Sequence, residues 1–412
     1  MSCCGAPRVG DLRSYEDALA LLLAHATPVA RNERLALADA LGRVLAEPVV
    51  SRIDVPGWDN SAMDGYAVRG ADLVGESPRL RVAQRIAAGS AGEALQPGTA
   101  ARIFTGAPLP PGADTVVIQE VCERDGDEVV IRQAPKAGAN VRHAGEDIEA
   151  GRPVIAAGTR LGPAHLGLAA SVGVGELEVR CRPRVALFCS GDELVLPGRP
   201  LGPGQIYNSN AFTAAALLRV LGCEVVDLGI VEDSLEATCA VLARGAETAD
   251  LVLATGGVSV GEEDHVKPAV ERLGSLDLWK IAIRPGKPLA FGRIGGTPFI
   301  GAPGNPVSMF VTFVLFARPF ILRMQGREDV APAVIPAVTD FDWPKPDKRR
   351  EFVRARLGPA ADGSLRVQAY PSRSSAVLSS VAWANGLAVM PEGRALVRGD
   401  RIDFLPFSEL LT

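Results

Sequence analysis

Between about Arg182 and Arg327, apolar runs of strand length alternate with amphipathic stretches of helix length, and few folds accept that order. "PRVALFCS" is a continuous apolar run, as a strand covered on both faces requires. "NSNAFTAAALLRVLG" reads as an amphipathic helix opened by Asn or Ser, and "CEVVDLGIV" as a strand. "SLEATCAVLARGAE" is a second helix, and "DLVLATGG" a strand running into glycines. Buried strands joined by helices predict a parallel, doubly wound sheet, whose ligands bind at the carboxyl ends of the strands.

The flanking segments have other textures. Ser14 to Glu47 spaces its apolar residues as helices do ("YEDALALLLAHA", then "RLALADALGRVLAE"), and Pro153 to Val179 returns to that spacing ("PAHLGLAASVG"). Between them, short β-rich pieces ("LRVAQRIAAG", "TAARIFTG", "DTVVIQEV", "DEVVIRQA") alternate with Gly and Pro. After about Glu328 the chain is β-rich again ("AVIPAVT", "EFVRARL", "SLRVQAY", "GLAVMPEG", "RIDFLPF"). The expected architecture is a multidomain α/β protein. It has a split helical domain (10–50 and 149–180), an inserted β domain (51–148), a central α/β domain (181–328) and a C-terminal β domain (329–412).

Composition narrows the function classes. The chain has 412 residues and a formal net charge of -5, without the basic footprint of a nucleic-acid partner. Its seven cysteines include no CxxC pair and no zinc-like histidine spacing, so reduced thiols in a cytoplasmic protein are expected. The start, "MSCCGAPRVG", with Cys3 and Cys4, lacks the apolar core of a signal peptide. The most apolar run, "VSMFVTFVLFARPFIL", is interrupted by Arg318 and Pro319 and reads as a buried helix too short to span a membrane.

Polar residues collect at the strand ends of the central segment. Ser190, Asp192 and Glu193 follow the first strand, and Asp233 follows the second, where a helix-capping role is an alternative. Asp264 follows the third strand and its Gly256-Gly257 turn. Acids at three consecutive strand ends suit a hard divalent cation such as Mg2+, which shares oxygen ligands with substrate phosphates. "WKIAIRPGKPLAFG" supplies the cations Lys280, Arg284 and Lys287, with Gly286 read as permitting close approach of backbone to a ligand. "GAPGNPVSMF" places Pro303, Gly304, Asn305, Pro306 and Ser308 at a helix start, a natural anion site, and "TGGVSVG" is a second anion cradle. Together these predict a phosphate-ester or oxyanion ligand. In "NSAMDGYAVRG", Asp64 stands as a buried-looking carboxylate in what reads as an Asp-Gly turn. Cys189, at a strand end, reads as a buried thiol without a redox role.

The motifs "SAMDGYA", "RIFTGAPLPPGADTVV", "RHAGEDI", "SGDELVLPG", "TGGVSVGEEDH", "IRPGKP" and "GAPGNPVS" occur in that order from Ser61 to Ser308. In them the chain resembles the MoeA-type molybdopterin molybdenumtransferase family, which is related to the C-terminal domain of gephyrin. The resemblance implies insertion of molybdate into adenylylated molybdopterin, with release of AMP, in a homodimer. Its cleft would lie between the central domain of one subunit and the inserted domain of the other, so that Asp64 and Thr105 project into the partner's site. It further implies catalytic roles for Asp64, Thr105, Glu193 and Asp264, with Mg2+ held by Asp64, Glu193 and Asp264. Substrate contacts would come from Arg142, Asp147, Ser190, Asp192, Asp233, Gly256, Gly257, Lys280, Arg284, Lys287, Pro303, Pro306 and Ser308, and from Arg349 and Ser380 in the C-terminal domain. An upstream molybdopterin adenylyltransferase is an implied partner. No nucleic acid or membrane is implied. A gephyrin-like scaffold, or tungstate in place of molybdate, is the alternative the residues leave open.

Overall fold

The computed structural model describes residues 12–258, 264–360 and 363–411. Cys3, Cys4 and the Ser259–Glu263 part of "TGGVSVGEEDH" lie outside the described residues. Two compact units divide the chain. One comprises the chain up to Glu33, Gly42–Ala46 and everything from Val179 onward; the other comprises Arg34–Leu41 and Glu47–Glu178.

The first unit is built on a six-stranded sheet: β1 (Arg184–Ser190), β2 (Glu224–Val231), β3 (Leu251–Thr255), β4 (Gly274–Lys280), β5 (Pro288–Ile294) and β6 (Thr297–Ala302). Their spatial order is β2-β1-β3-β6-β5-β4. The four strands β2, β1, β3 and β6 are parallel, as the apolar runs predict. β5 departs from that pattern and runs antiparallel to both its neighbours. It enters β6 through the pair Gly295-Gly296, with Gly295 at φ 57°, the left-handed conformation a tight hairpin demands.

Alternation along β1 explains why both sheet faces are covered. Val185 and Leu187 pack with Ala214, Leu217 and Leu218 of the helix Ser209–Val220. Ala186 and Phe188 pack on the other face with Val241 and Leu242 of helix Leu235–Thr248 and with Val266 and Val270 of helix Val266–Leu273. Helix starts follow the expected chemistry: Asn208 Oδ1 accepts from the Ala211 N–H (3.1 Å) and Ser234 Oγ from the Ala237 N–H (3.2 Å). The second cap is thus Ser234, and Asp233 is left for other work.

Pro306–Met324 forms one continuous 19-residue helix, long and apolar enough to cross a membrane, yet 94% of it is buried inside the protein. Arg318 and Pro319 therefore do not break it, contrary to the sequence expectation. Proline lacks the N–H for the carbonyl four residues back and its ring clashes there. A π turn over Phe313–Ala317, directly before Pro319, absorbs the mismatch. The buried Arg318 guanidinium donates to the Val330 carbonyl at 3.0 Å.

Farther along the same unit, five strands close into a ring of pairings. Arg350–Pro359 pairs with Leu365–Ala369, then Ile335–Thr339, Arg401–Pro406 and Gly386–Met390 follow, and the last returns to Arg350–Pro359. Closure leaves this small barrel few free edges, around a core that includes Val353, Val367, Ala388 and Phe404.

Helix Tyr15–Ala24, capped by Ser14, also belongs to the first unit. The expected second helix over "RLALADALGRVLAE" is absent: Asn32–Ala36 is a strand with alternating exposure, followed by one 3-10 turn at Leu37–Asp39. Gly42, at φ 75°, then turns the chain in a way a helix interior does not allow.

The second unit carries a six-stranded sheet ordered Thr115–Ile118, Gly65–Val68, Thr99–Ile103, Arg79–Ile86, Glu128–Ile131 and Cys122–Asp125. It also contains the helix Pro163–Ser171. The Asp64-Gly65 pair is not a turn. Gly65 opens an inner strand and is needed because a Cβ there would lie 2.0 Å from the Val117 carbonyl oxygen.

Candidate functional site

The strand order reverses around β1: β2 pairs on one side of it and β3 on the other. The helices that follow β1 and β3 diverge to opposite faces, which opens a crevice at the carboxyl ends of these strands. A cavity of about 700 Å³ lies there. Ten of the residues picked out from sequence line it: Ser190, Glu193, Asp233, Gly256, Gly257, Asp264, Pro303, Gly304, Asn305 and Pro306.

Two loops are locked together at its floor. Ser190 Oγ donates to Asp233 Oδ1 at 2.7 Å, and the Asp192 N–H donates to Asp233 Oδ2 at 3.2 Å. In return, Asp192 Oδ1 accepts from the Asp233 N–H at 3.1 Å. Asp233 and Asp192 thus brace each other, and Ser190 has its proton committed to Asp233. The two glycines are sterically required. Gly256 has φ 89°, and a Cβ on it would meet the Ser190 carbonyl oxygen at 2.4 Å. Gly257 has φ 63°, and a Cβ there would lie 2.9 Å from Val266 Cγ2.

Asn208 and Asn210 also line the cavity, although in sequence they read only as helix-start residues. Asn210 Nδ2 donates to the Gly304 carbonyl at 2.7 Å and so ties the helix start to the "GAPGN" loop. Its Oδ1 is buried without a hydrogen-bond partner among the described residues. Behind the wall, Thr255 Oγ1 donates to Cys189 Sγ at 3.2 Å, and burial pushes that thiol's pKa up, the state of an inert strand-end cysteine.

The cationic residues are placed elsewhere. Lys280, Arg284, Lys287, Ser308, Arg349 and Ser380 are not part of the cavity wall. Arg284 Nη1 and Arg349 Nη2 both donate to Asp347 Oδ2, at 3.0 and 2.9 Å. The Arg349 side-chain bonds, foremost, hold the Asp347 carboxyl well below the usual carboxylate range. Arg373 Nη2 bonds both oxygens of buried Glu351 at 2.6 Å, and Arg284 Nε lies 3.8 Å from Glu351. Three guanidiniums thus share two carboxylates. Gly286, at φ 106°, makes room for a protein neighbour rather than only for a ligand: a Cβ there would lie 2.5 Å from Thr312 Cγ2. Ser308 is buried within its helix, and its carbonyl accepts from Thr312 Oγ1 at 2.8 Å. Ser380 is 0% exposed. Its hydroxyl donates to the Val377 carbonyl (2.6 Å) and accepts from Arg354 Nε (2.9 Å), which corrects its reading as an oxyanion ligand.

In the second unit, Asp64 is half-exposed rather than buried. The Thr105 N–H and Oγ1 both donate to Asp64 Oδ1 at 2.8 Å. Those bonds, the backbone one first, lower the carboxyl pKa. Arg142 and Asp147 are exposed; Arg142 pairs with Asn60 across a two-residue ladder, and the Asp147 N–H donates to the Val55 carbonyl at 3.0 Å. Nearby, Asp59 Oδ1 accepts from the Ala144 N–H at 2.8 Å, which lowers the Asp59 pKa. Among the described residues, no group of three or more His, Cys, Asp or Glu side chains is gathered closely enough to hold a metal ion.

Comparison with known proteins gives the same picture along the whole chain. Residues 13–173 match the MoeA N-terminal region (domain I and II), residues 186–323 a probable molybdopterin binding domain, and residues 336–407 the MoeA C-terminal region (domain IV). The chain is 39% identical over 385 residues to the molybdopterin molybdenumtransferase of Haemophilus influenzae, covering 92% of this chain and 95% of that one. It is 42% identical over 370 residues to molybdopterin molybdenumtransferase 2 of Mycobacterium tuberculosis, covering 86% and 90%. A crystal structure of the molybdopterin biosynthesis MoeA protein from Pyrococcus horikoshii superposes with a TM-score of 0.84 at 28% identity, covering 96% of this chain and 100% of that one. With the strand-end cavity, its glycine turn and three matched regions in one order, this chain belongs to the MoeA family.

Proposed function

We propose that this chain is a molybdopterin molybdenumtransferase, which inserts molybdate into adenylylated molybdopterin and releases AMP. The observation that carries the reading is the match to the Haemophilus influenzae transferase along 92% of the chain. The polar cavity at the switch point supports the reading. The dithiolene sulfurs that take up molybdenum belong to the substrate, so no cysteine of this chain needs to ligate it.

Within the cavity, the Gly256-Gly257 turn presents backbone to the substrate's phosphates. Asp233, by holding the Ser190 proton, turns that oxygen's lone pairs outward as an acceptor. Of the three wall carboxylates, Asp233 is bonded to Ser190 and Asp192, and Glu193 and Asp264 would hold Mg2+ together with substrate phosphates, the usual mode for this ion. When bound there, Mg2+ would neutralise charge developing on the departing AMP oxygen. Lys280, Arg284, Lys287, Arg349 and Ser308 are the proposed neighbours of molybdate, with Arg142 and Asp147 contacting substrate from the second unit.

The protein would act as a homodimer, with Asp64 and Thr105 of one subunit completing the cavity of its partner. The upstream adenylyltransferase supplies the substrate. The test is AMP release from adenylylated molybdopterin with molybdate and Mg2+, with tungstate run in parallel. Asp264→Ala should lower turnover by about a thousandfold with a far smaller effect on thermal unfolding, since the residue lies two positions before the helix Val266–Leu273 and outside the hydrophobic core. Near-wild-type turnover would remove Asp264 from the site.

A further inference from the structure

Arg102 is the cross-strand partner of Tyr66, one residue beyond Gly65. Its Nη1 donates to the Gly65 carbonyl at 2.8 Å and its Nη2 to Gln119 Oε1 at 2.6 Å. The guanidinium carbon lies 4.6 Å from the centroid of the Phe104 ring and 5.3 Å from that of Tyr66. The Arg85 guanidinium stacks on the same Phe104 ring at 4.5 Å. Gly65 directly follows Asp64, and Phe104 directly precedes Thr105. A single side chain therefore grips the residue next to each member of the Asp64–Thr105 pair.

From this we infer that Arg102 is a positioning residue for the reaction, fixing the reach of Asp64 and Thr105 through Gly65 and Phe104. The inference rests on the reading of Asp64 as a site residue. Only arginine suits the place: a planar fork donates in two directions from its edge while its face stacks on an aromatic ring. Lysine would keep the charge but bridge neither both acceptors nor the ring. Half-exposed Asp64 has no packed shell of its own to hold it, so its direction depends on such neighbours.

The experiment reads geometry and rate separately, in Arg102→Ala and in the milder Arg102→Lys. Amide hydrogen exchange at Thr105, whose N–H is bonded to Asp64, should speed up about tenfold or more in Arg102→Ala. The amides of Val116 and Val117, in the strand on the far side of Gly65–Val68 from Arg102, should keep their protection. Turnover should fall about 10- to 100-fold at unchanged KM for molybdate, as misplacement of a catalytic group does. Arg102→Lys should show both effects to a smaller extent. The double variant with Asp64→Ala should be no slower than Asp64→Ala alone. Unchanged exchange at Thr105, or equal loss of protection at Val116 and Val117, overturns the inference. So does unchanged turnover while Asp64→Ala is inactive. Unchanged turnover in both single variants instead removes Asp64 from the reaction, and the proposed function of that residue falls with it.

Discussion

The strand-end cavity of the first unit and the Asp64–Thr105 pair of the second are both built from short motifs, but they are held in opposite ways. The cavity is shaped by backbone. Gly256 and Gly257 adopt conformations that only glycine takes easily, within van der Waals reach of Ser190 and Val266, and Asp192 and Asp233 bond each other's main chain. Asp64 instead projects from the start of a strand and is aimed by two hydrogen bonds from one threonine. The lesson is that a cavity at a topological switch point is part of the fold's own stability, whereas the exposed carboxylate can be lost with little structural consequence. Substitutions should sort accordingly: cavity glycines affect folding first, and Asp64 affects activity alone.

The largest effect should come from pairing the two sites across subunits. If, as proposed, Asp64 of one subunit completes the partner's cleft, Asp64→Ala and Glu193→Ala homodimers should each be inactive, because every cleft lacks one residue. When the two variants are denatured together and refolded, about half the dimers are mixed, and one cleft in each mixed dimer is intact. AMP release should then recover to about a quarter of wild type for a two-fold dimer. No recovery, with subunit exchange verified by tagged chains, would mean that both residues serve one chain's own cleft or none.

A smaller effect tests the backbone side of the comparison. Gly256→Ala combines a positive φ with a Cβ 2.4 Å from the Ser190 carbonyl, so it should destabilise the protein by about 2 to 4 kcal/mol. Gly42→Ala shares the positive φ, 75°, but meets nothing within 4 Å, and should lose about 1 kcal/mol. Urea unfolding of both variants measures the difference. Equal losses would show that the close approach at Gly256 is relieved by a shift of the loop.

The smallest effect concerns the arginine cluster, a third kind of construction in which charges hold one another. Asp347 titrates below the usual carboxylate range because of Arg349 and Arg284. A depressed carboxylate contributes stability that is fully present above its unfolded pKa of about 4 and fades as pH falls toward the folded value. Asp347→Asn should therefore be less stable than wild type by about 1 to 3 kcal/mol at neutral pH, and the gap should begin to narrow below about pH 4 and close only as pH approaches the much lower folded value. A gap that persists unchanged in acid would assign the loss to packing instead.

Much of this molecule follows from local pattern. Apolar runs of strand length, amphipathic helices with Asn or Ser caps, and acids after strand ends depend on residues near one another in the chain, and all of them recur in the folded first unit. Local pattern also misled where a distant partner decides. "RLALADALGRVLAE" has helical spacing, yet its first part alternates equally well as a strand, and Gly42 ends any helix there. The apolar run through Pro319 looks broken until a π turn, supported by burial on all sides, carries the helix through.

The motifs alone were sufficient to place Ser190, Glu193 and Asp233 at the switch point, because a strand-end position is fixed by the sheet. Whether a polar group anywhere in the chain is available for a ligand, and what a glycine is for, was a tertiary decision. Ser380 is sealed by Arg354, Asp192 is spent on the backbone of Asp233, and Gly65 exists for Val117 rather than for a turn. Each depends on an atom supplied from a remote part of the chain, and only the packed structure brings those atoms within hydrogen-bonding or contact distance.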